Sequence, residues 1–373
     1  MLSNRFHTLL RSLCLSLSLS TTAASAGPVI YDTDMAIDDW LALLYLLAEP
    51  STEVVAVTIS ASGETLCQPG LDNARNLLAL AGKSGVPVAC GDDYPLEGFF
   101  VFPDLWQQDA NTLSGIDMRQ WIEKPVANTA SDGHAVDLLH KTIADSSEPV
   151  AIVAVGPMTN VAQWLARYPD DRKGVSELVM MGGSYKAPGN IIVPKITADN
   201  PNYVSEWNYY IDPIAAQQTL TADNLDKVMV GLDVTNTVRI THPFADQFKE
   251  RVSGPLSEFV DQVFDKNRWF IDTKEYYFWD VMAAVVAAEP ELCSGPSIPV
   301  TAVAELADDS PFLKSSDLSM PKVNAAGGTR RHLKAANAGQ VVGAEKGAPT
   351  KVCMGTDGKR VFAAFTDALT GTP

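Results

Sequence analysis

Four carboxylates fall within eight residues in the run Asp32-Thr33-Asp34-Met35-Ala36-Ile37-Asp38-Asp39. An apolar, strand-like segment, Val29-Ile30-Tyr31, precedes the run, and an apolar, helix-like one, Trp40 to Leu47, follows it. Apolar flanks on both sides put the turn at the edge of a core. Carboxylates this close raise one another's pKa, and in a buried turn one of them stays protonated unless a partner removes the conflict. A hard cation is such a partner, and Ca²⁺ accepts several carboxylate oxygens in irregular geometry. The run reads as a strand end, a turn and a helix start built to hold a metal, in preference to a solvated acidic turn.

The rest of the chain reads as alternating strands and helices. Val54 to Ile59, Val86 to Ala89, Val150 to Val155, Leu178 to Met181 and Val228 to Leu232 are short, nearly continuous apolar runs. Helical patterns over Asn73 to Ala81 and Thr159 to Arg167 separate some of them. Such runs indicate an α/β fold: an open, mostly parallel sheet covered by helices on both faces. Polar residues follow these strands: Asp34, Glu64, Thr159, Ser184 and Asp233. Sites in open α/β sheets lie at the carboxyl ends of strands, so the chemistry is expected there. No repeat or linker divides residues 27–373, which read as one domain with loop insertions near 191–205 and 307–350. Within the second insertion, Arg330-Arg331-His332-Leu333-Lys334 reads as a solvated surface run.

Residues 1–26 read as a secretory signal. Arg5 and Arg11 supply the basic start, Leu9 to Leu19 the apolar stretch, and Ala24-Ser25-Ala26 a small-x-small cleavage site. Cys14 lacks the preceding small residue of a lipoprotein signal. The expectation is a soluble protein exported to the periplasm or medium, with no membrane span after the signal. Removing the signal takes away two arginines and no acids, moving the net charge from −17 to about −19. So acidic a chain repels nucleic acid and attracts cations. Cys67, Cys90, Cys293 and Cys353 remain, able to form up to two disulfides in any of three connectivities, or to stay as buried thiols. Their spacing matches no zinc site.

Several segments occur in the order seen in the nucleoside hydrolase family: Val29–Asp39, Gly156-Pro157-Met158-Thr159-Asn160, Met181-Gly182-Gly183, Gly189-Asn190, Glu206-Trp207-Asn208, Asp212-Pro213 and Gly231-Leu232-Asp233-Val234-Thr235. The resemblance runs from Pro28 to about Pro290, and more weakly to a C-terminal strand near Val361. It implies a Ca²⁺-dependent enzyme that hydrolyses the N-glycosidic bond of ribonucleosides, and homo-oligomers are usual in the family. Asp34 and Asp39 resemble the family's metal carboxylates. Thr159 resembles the residue offering a backbone carbonyl, and Asp280 the last carboxylate ligand. Asp34 also resembles the general base acting on a metal-activated water. Asp38, Met181, Asn190, Glu206 and Asn208 resemble the ribose-binding set, whose contacts position and distort the sugar toward an oxocarbenium-like state.

The departures bear on the base. Members with inosine-uridine or broad preference carry a His before the last metal Asp, where this chain has Trp279. They carry an Asn where it has Glu64. Trp106 lies in a loop after the third strand. Together these resemble the purine-specific, inosine-adenosine-guanosine branch, in which two indoles hold the base. Trp106, Trp279, Glu64 and Trp207 are then the base-binding candidates. Two indole faces make a flat apolar slot that suits a bicyclic purine. Ala36 departs from the polar residue usual in that branch. His134 and His242 read as capping or surface residues.

Three other readings stay open. A pyrimidine or non-specific nucleoside hydrolase would favour uridine. A non-catalytic, exported nucleoside-binding protein would bind without turnover. A haloacid-dehalogenase-like phosphatase would use Asp32-Thr33-Asp34 as its nucleophile turn, but Gly91-Asp92-Asp93 is a poor later metal motif for it.

Overall fold

The computed structural model describes residues 27–307 and 330–371. The signal read in residues 1–26 and much of the 307–350 insertion lie outside them. Among the described residues there are ten strands: β1 (Gly27–Thr33), β2 (Thr52–Ile59), β3 (Val88–Cys90), β4 (Val150–Ala154), β5 (Val175–Met181), β6 (Lys227–Val230), β7 (Ser297–Ile298), β8 (Val300–Ala302), β9 (Val341–Gly343) and β10 (Thr350–Val352). Eight form one sheet in the order β3-β2-β1-β4-β5-β6-β10-β7. All neighbours pair in parallel except β10 with β7. β8 and β9 form a separate antiparallel pair.

Alternation along the central strands fills both faces. Val29, Tyr31, Val153, Val155, Val179 and Met181 enter one core, and Ile30, Ile152, Ala154, Leu178 and Met180 enter the other. A parallel sheet is buried on both sides for this reason. The helices Ile37–Ala48, Trp279–Ala288 and Gly358–Thr370 cover the first face. Ala135–Asp145, Thr159–Arg167 and Pro213–Thr221 cover the second. No helix among the described residues is long and apolar enough to cross a membrane.

The strand order reverses between β1 and β4, where ligands bind in sheets of this kind. The ladder extends past β1 on both sides: Ser60 N donates to Thr33 O at 2.7 Å and Val155 N to Asp32 O at 2.8 Å. The loops after β1, β2 and β4 are thereby fixed side by side.

Three expectations are corrected. The first helix after β2 runs Cys67–Leu80 rather than starting at Asn73. Pro69 fits its first turn, where no amide donor is required. Val361 lies inside the helix Gly358–Thr370, not in a strand; Val361, Phe365 and Leu369 recur at helical spacing on its buried face. The Arg330–Lys334 run is not a solvated surface. Arg330 is fully buried, its guanidinium 4.5 Å from the rings of both Tyr94 and Phe99. Arg331 pairs with Glu97 at 2.9 Å. The cysteines settle into Cys67–Cys90 and Cys293–Cys353 disulfides, with Cα atoms 5.8 and 5.2 Å apart.

Candidate active site

The turn after β1 is held in an uncommon shape. Met35 has φ +58°, a left-handed conformation costly for a side chain this large. Asp39, in the first turn of the next helix, over-determines it. Its Oδ1 accepts from the amides of Asp34 and Met35 at 3.1 Å each and from the Thr33 hydroxyl, and its Oδ2 from the amide of Ala36 at 3.0 Å. Trp40 Nε1 donates to Met35 O at 2.7 Å from the other side. Strain held in this way is typical of functional turns.

The helices Ile37–Ala48 and Trp279–Ala288 pack against each other with their first turns at the sheet's carboxyl edge. Asp38, Asp39 and Asp280 therefore meet, with candidate ligand oxygens all within 4.8 Å of one another. Helix N-termini favour negative charge, which eases this crowding only in part. Burial first, then neighbouring carboxylates, push Asp34, Asp280 and Glu64 well above the usual carboxylate range. Burial and the Asp39 charge push Asp38 up to about 8. Burial raises Asp39 too, against hydrogen bonds that lower it. Mutually raising carboxylates, half-buried at Asp38 and buried at Asp39 and Asp280, with an all-oxygen donor set fit a hard divalent cation.

Asp34 sits at the edge of this cluster. Its Oδ2 accepts from Glu64 N at 2.8 Å, and its carbonyl from Thr65 N at 3.0 Å and Thr65 Oγ1 at 2.9 Å. The loop can approach this closely because Gly63 has no side chain; a Cβ there would lie 2.3 Å from the Asp34 Cβ. Gly156, after β4, plays the same part, with a Cβ position 2.9 Å from the Asp34 amide. Thr159 is fully buried at the start of its helix. Its hydroxyl donates to Asp212 at 2.8 Å.

Met181, Asn190, Glu206, Trp207 and Asn208 come together at the end of β5. Asn208 Nδ2 donates to Val155 O at 2.7 Å and to Met181 O at 3.3 Å. Trp207 Nε1 donates to Asn190 O at 3.2 Å. Asn190 Oδ1 is buried with no partner among the described residues. Glu206 caps the short helix Trp207–Ile211, accepting from the amides of Asn208, Tyr209 and Gly183. Burial still pushes it up to about 7. Its first task is thus structural, and one lone pair on Oε1 remains for a sugar hydroxyl.

The indoles occupy two aromatic groups. Trp106 lies in the helix Asp104–Asn111, a correction to the expected loop. It meets Trp207 edge-on at 5.2 Å, and Trp207 stacks on Phe102 at 5.2 Å. Trp279 belongs with Phe270, Tyr276 and Tyr277, and its indole nitrogen is buried with no partner among the described residues. No ring contact among the described residues joins the two groups. A cavity of about 420 Å³ is lined by Ser62, Gly63, Phe100 and Val101 among others.

Ser184 and Asp233 work on the loop after β5 instead. Asp233 accepts from the amides of Tyr185, Lys186 and Ala187. His134 caps the helix Ala135–Asp145, and His242 opens another while pairing with Asp272 at 2.6 Å. Sequence reasoning missed the supporting residue Ser62, and it named Asp212 only within the Asp212-Pro213 motif, with no role assigned. The signal for Asp212 was its Pro213 neighbour, the usual mark of a capped helix start.

A family profile described as "Inosine-uridine preferring nucleoside hydrolase" matches residues 29–363. The chain belongs to this family. Its members hydrolyse the N-glycosidic bond of ribonucleosides, and this chain shares that activity class. The pyrimidine-specific ribonucleoside hydrolase RihA of Salmonella paratyphi B is 33% identical over 240 residues, 64% of this chain and 71% of that protein. RihA of Citrobacter koseri is also 33% identical over 240 residues, 64% of this chain and 70% of that protein. The fold matches an inosine-uridine preferring nucleoside hydrolase from Bacillus anthracis (TM-score 0.70, 22% identity, 93% of this chain and 100% of that one). It also matches a purine-preferring ribonucleoside hydrolase from Gardnerella vaginalis (TM-score 0.68, 22% identity, 92% and 98%).

Proposed function

We propose that the protein is a Ca²⁺-dependent ribonucleoside hydrolase that prefers purine nucleosides. The observation that carries the metal-dependent chemistry is the meeting of Asp38, Asp39 and Asp280 beside Asp34, a buried acidic group that a hard cation would balance. Asp34, Asp39, Asp280 and the Thr159 carbonyl would hold the ion. When bound, the ion supplies positive charge that makes a neighbouring water easier to deprotonate. The protein's own groups do the rest. Asp34 takes the water's proton on Oδ1, because Oδ2 already accepts from Glu64 N. Asp38 and Asn190 Oδ1 accept from ribose hydroxyls, and the remaining Glu206 lone pair from another. Fixing the sugar this way favours its flattened, oxocarbenium-like form.

The purine preference is supported by Trp279, which stands immediately before Asp280 at the start of the same helix. Trp106 and Trp207 supply a second aromatic surface on the Asn190 side. A purine covers more of such surfaces than a pyrimidine does. One observation favours pyrimidines instead: the 33% identical RihA proteins are pyrimidine-specific.

The test of the reaction is release of free base and ribose from inosine. Activity should disappear on chelation, return with Ca²⁺, and fall steeply in Asp34→Asn. Turnover that persists through chelation would refute the metal-dependent reading. Export is part of the proposal, supported by the basic and apolar N-terminus and by the two disulfides. The exported protein should begin near Gly27, as N-terminal sequencing would show; an intact Met1 would refute it.

A further inference from the structure

A buried carboxylate outside the acidic cluster joins two parts of the site. Asp212 is fully buried, and its Oδ2 accepts from Thr159 Oγ1 at 2.8 Å and from Leu96 N at 2.8 Å. Its Oδ1 accepts from Ala215 N at 3.0 Å, starting the helix Pro213–Thr221. Thr159 is the candidate carbonyl ligand. Leu96 begins the segment that carries Phe100, Phe102 and, ten residues on, Trp106.

The hydrogen-bond chain has one direction. A carboxylate only accepts, so Thr159 spends its single hydroxyl proton on Asp212. The 2.8 Å contact between Ser62 Oγ and Thr159 Oγ1 must then be donated by Ser62. Ser62 sits in the loop whose Glu64 amide holds Asp34. One buried carboxylate thus orders the cation-side threonine, the loop under the general base and the start of the aromatic segment. Charge-assisted hydrogen bonds of this kind are short and directional.

We propose that Asp212 is a positioning residue that sets the Thr159 carbonyl for the cation and, through Leu96, the aromatic segment for the base. This rests on the assignment of Thr159 and Trp106 in the proposed function. Removing a hydrogen-bond partner of a metal ligand typically lowers metal affinity ~10–100-fold.

The test is Ca²⁺ titration of the full chain by calorimetry, alongside kcat and KM for inosine. Asp212→Ala, which leaves no acceptor for Thr159 Oγ1 or Leu96 N, should weaken Ca²⁺ binding about tenfold or more and raise KM for inosine. Thr159→Val should weaken Ca²⁺ binding similarly and leave KM less affected, whereas Thr159→Ser, which keeps the hydroxyl, should restore most of the binding that Thr159→Val loses. The double variant Asp212→Ala/Thr159→Val should bind no more weakly than Asp212→Ala alone, because the bond between the two residues is already gone there; merely structural damage would add. Should Asp212→Ala fail to fold, the Thr159 pair decides. Unchanged Ca²⁺ affinity in Asp212→Ala or Thr159→Val, or additive losses, would overturn the proposal. Absence of inosine turnover in the parent would instead count against the proposed function, and the Ca²⁺ titrations would still test the link from Asp212 to Thr159.

Discussion

The proposed cation side and the proposed base side of this site are built differently. The cation side is compact: Asp34, Asp38 and Asp39 share one turn, Asp280 opens the helix packed beside it, and backbone amides hold the carboxylates. The base side is assembled from separated aromatic segments, with Trp106 and Trp207 in one group and Trp279 in another. Its rings pack on one another. On the proposed function, chemistry that tolerates little misplacement is locked by the backbone, and selectivity is left to side chains that can be exchanged.

The sharpest break should come from Asp34→Asn. General-base catalysis is worth about 10²–10⁴-fold, so kcat for inosine should fall by that order while KM changes little. An equal loss in KM and none in kcat would move Asp34 from chemistry to binding.

Metal removal should come next. A ligand at ~100 times its Kd stabilises the fold by about 2.7 kcal/mol, so chelation should lower the melting temperature by several degrees. The pH dependence has a definite sign. In the metal-free protein burial and neighbouring acids raise Asp34 and Asp280, and Asp38 to about 8. A raised carboxyl holds its proton more tightly folded than unfolded. The metal-free fold therefore gains stability as pH falls below the folded value and loses it as pH rises. Protons compete with the cation, so Ca²⁺ affinity should increase from pH 5.5 to 8. The melting-temperature gap between Ca²⁺-loaded and chelated protein should widen over the same range. A gap that narrows toward pH 8 would contradict the assigned ligands.

Changes on the base side should be milder and selective. Trp279→Ala and Trp106→Ala should each cost about 0.5–1.5 kcal/mol in kcat/KM for inosine beyond simple loss of area, with a smaller effect on uridine. Equal losses on both nucleosides would assign the indoles to packing alone. Smallest of all, Arg331→Ala removes a half-buried pair with Glu97 and should cost about 1 kcal/mol or less in thermal stability.

The same contrast explains what could be read from sequence. Acidic residues at fixed spacing on one turn announce themselves, and the helix Thr159–Arg167 appears where its periodicity placed it. Arg330 does not, because a charge run carries no sign of the Tyr94 and Phe99 rings that enclose it from more than two hundred residues away. The helix expected from Asn73 already starts at Cys67, because its first turn accepts Pro69. The strand near Val361 came with the resemblance, and the spacing of Val361 with Phe365 and Leu369 shows a helix instead. Asp212 was visible as part of a motif, but its bonds to Thr159 and Leu96 span segments that only folding brings together.

The most direct measurement is kcat/KM for inosine and for uridine, side by side, with Ca²⁺ and after chelation. The account predicts Ca²⁺-dependent turnover of inosine well above that of uridine. Uridine turned over as well as or better than inosine would contradict the aromatic base side as a purine site, and turnover that survives chelation would contradict the acidic cluster as its metal centre.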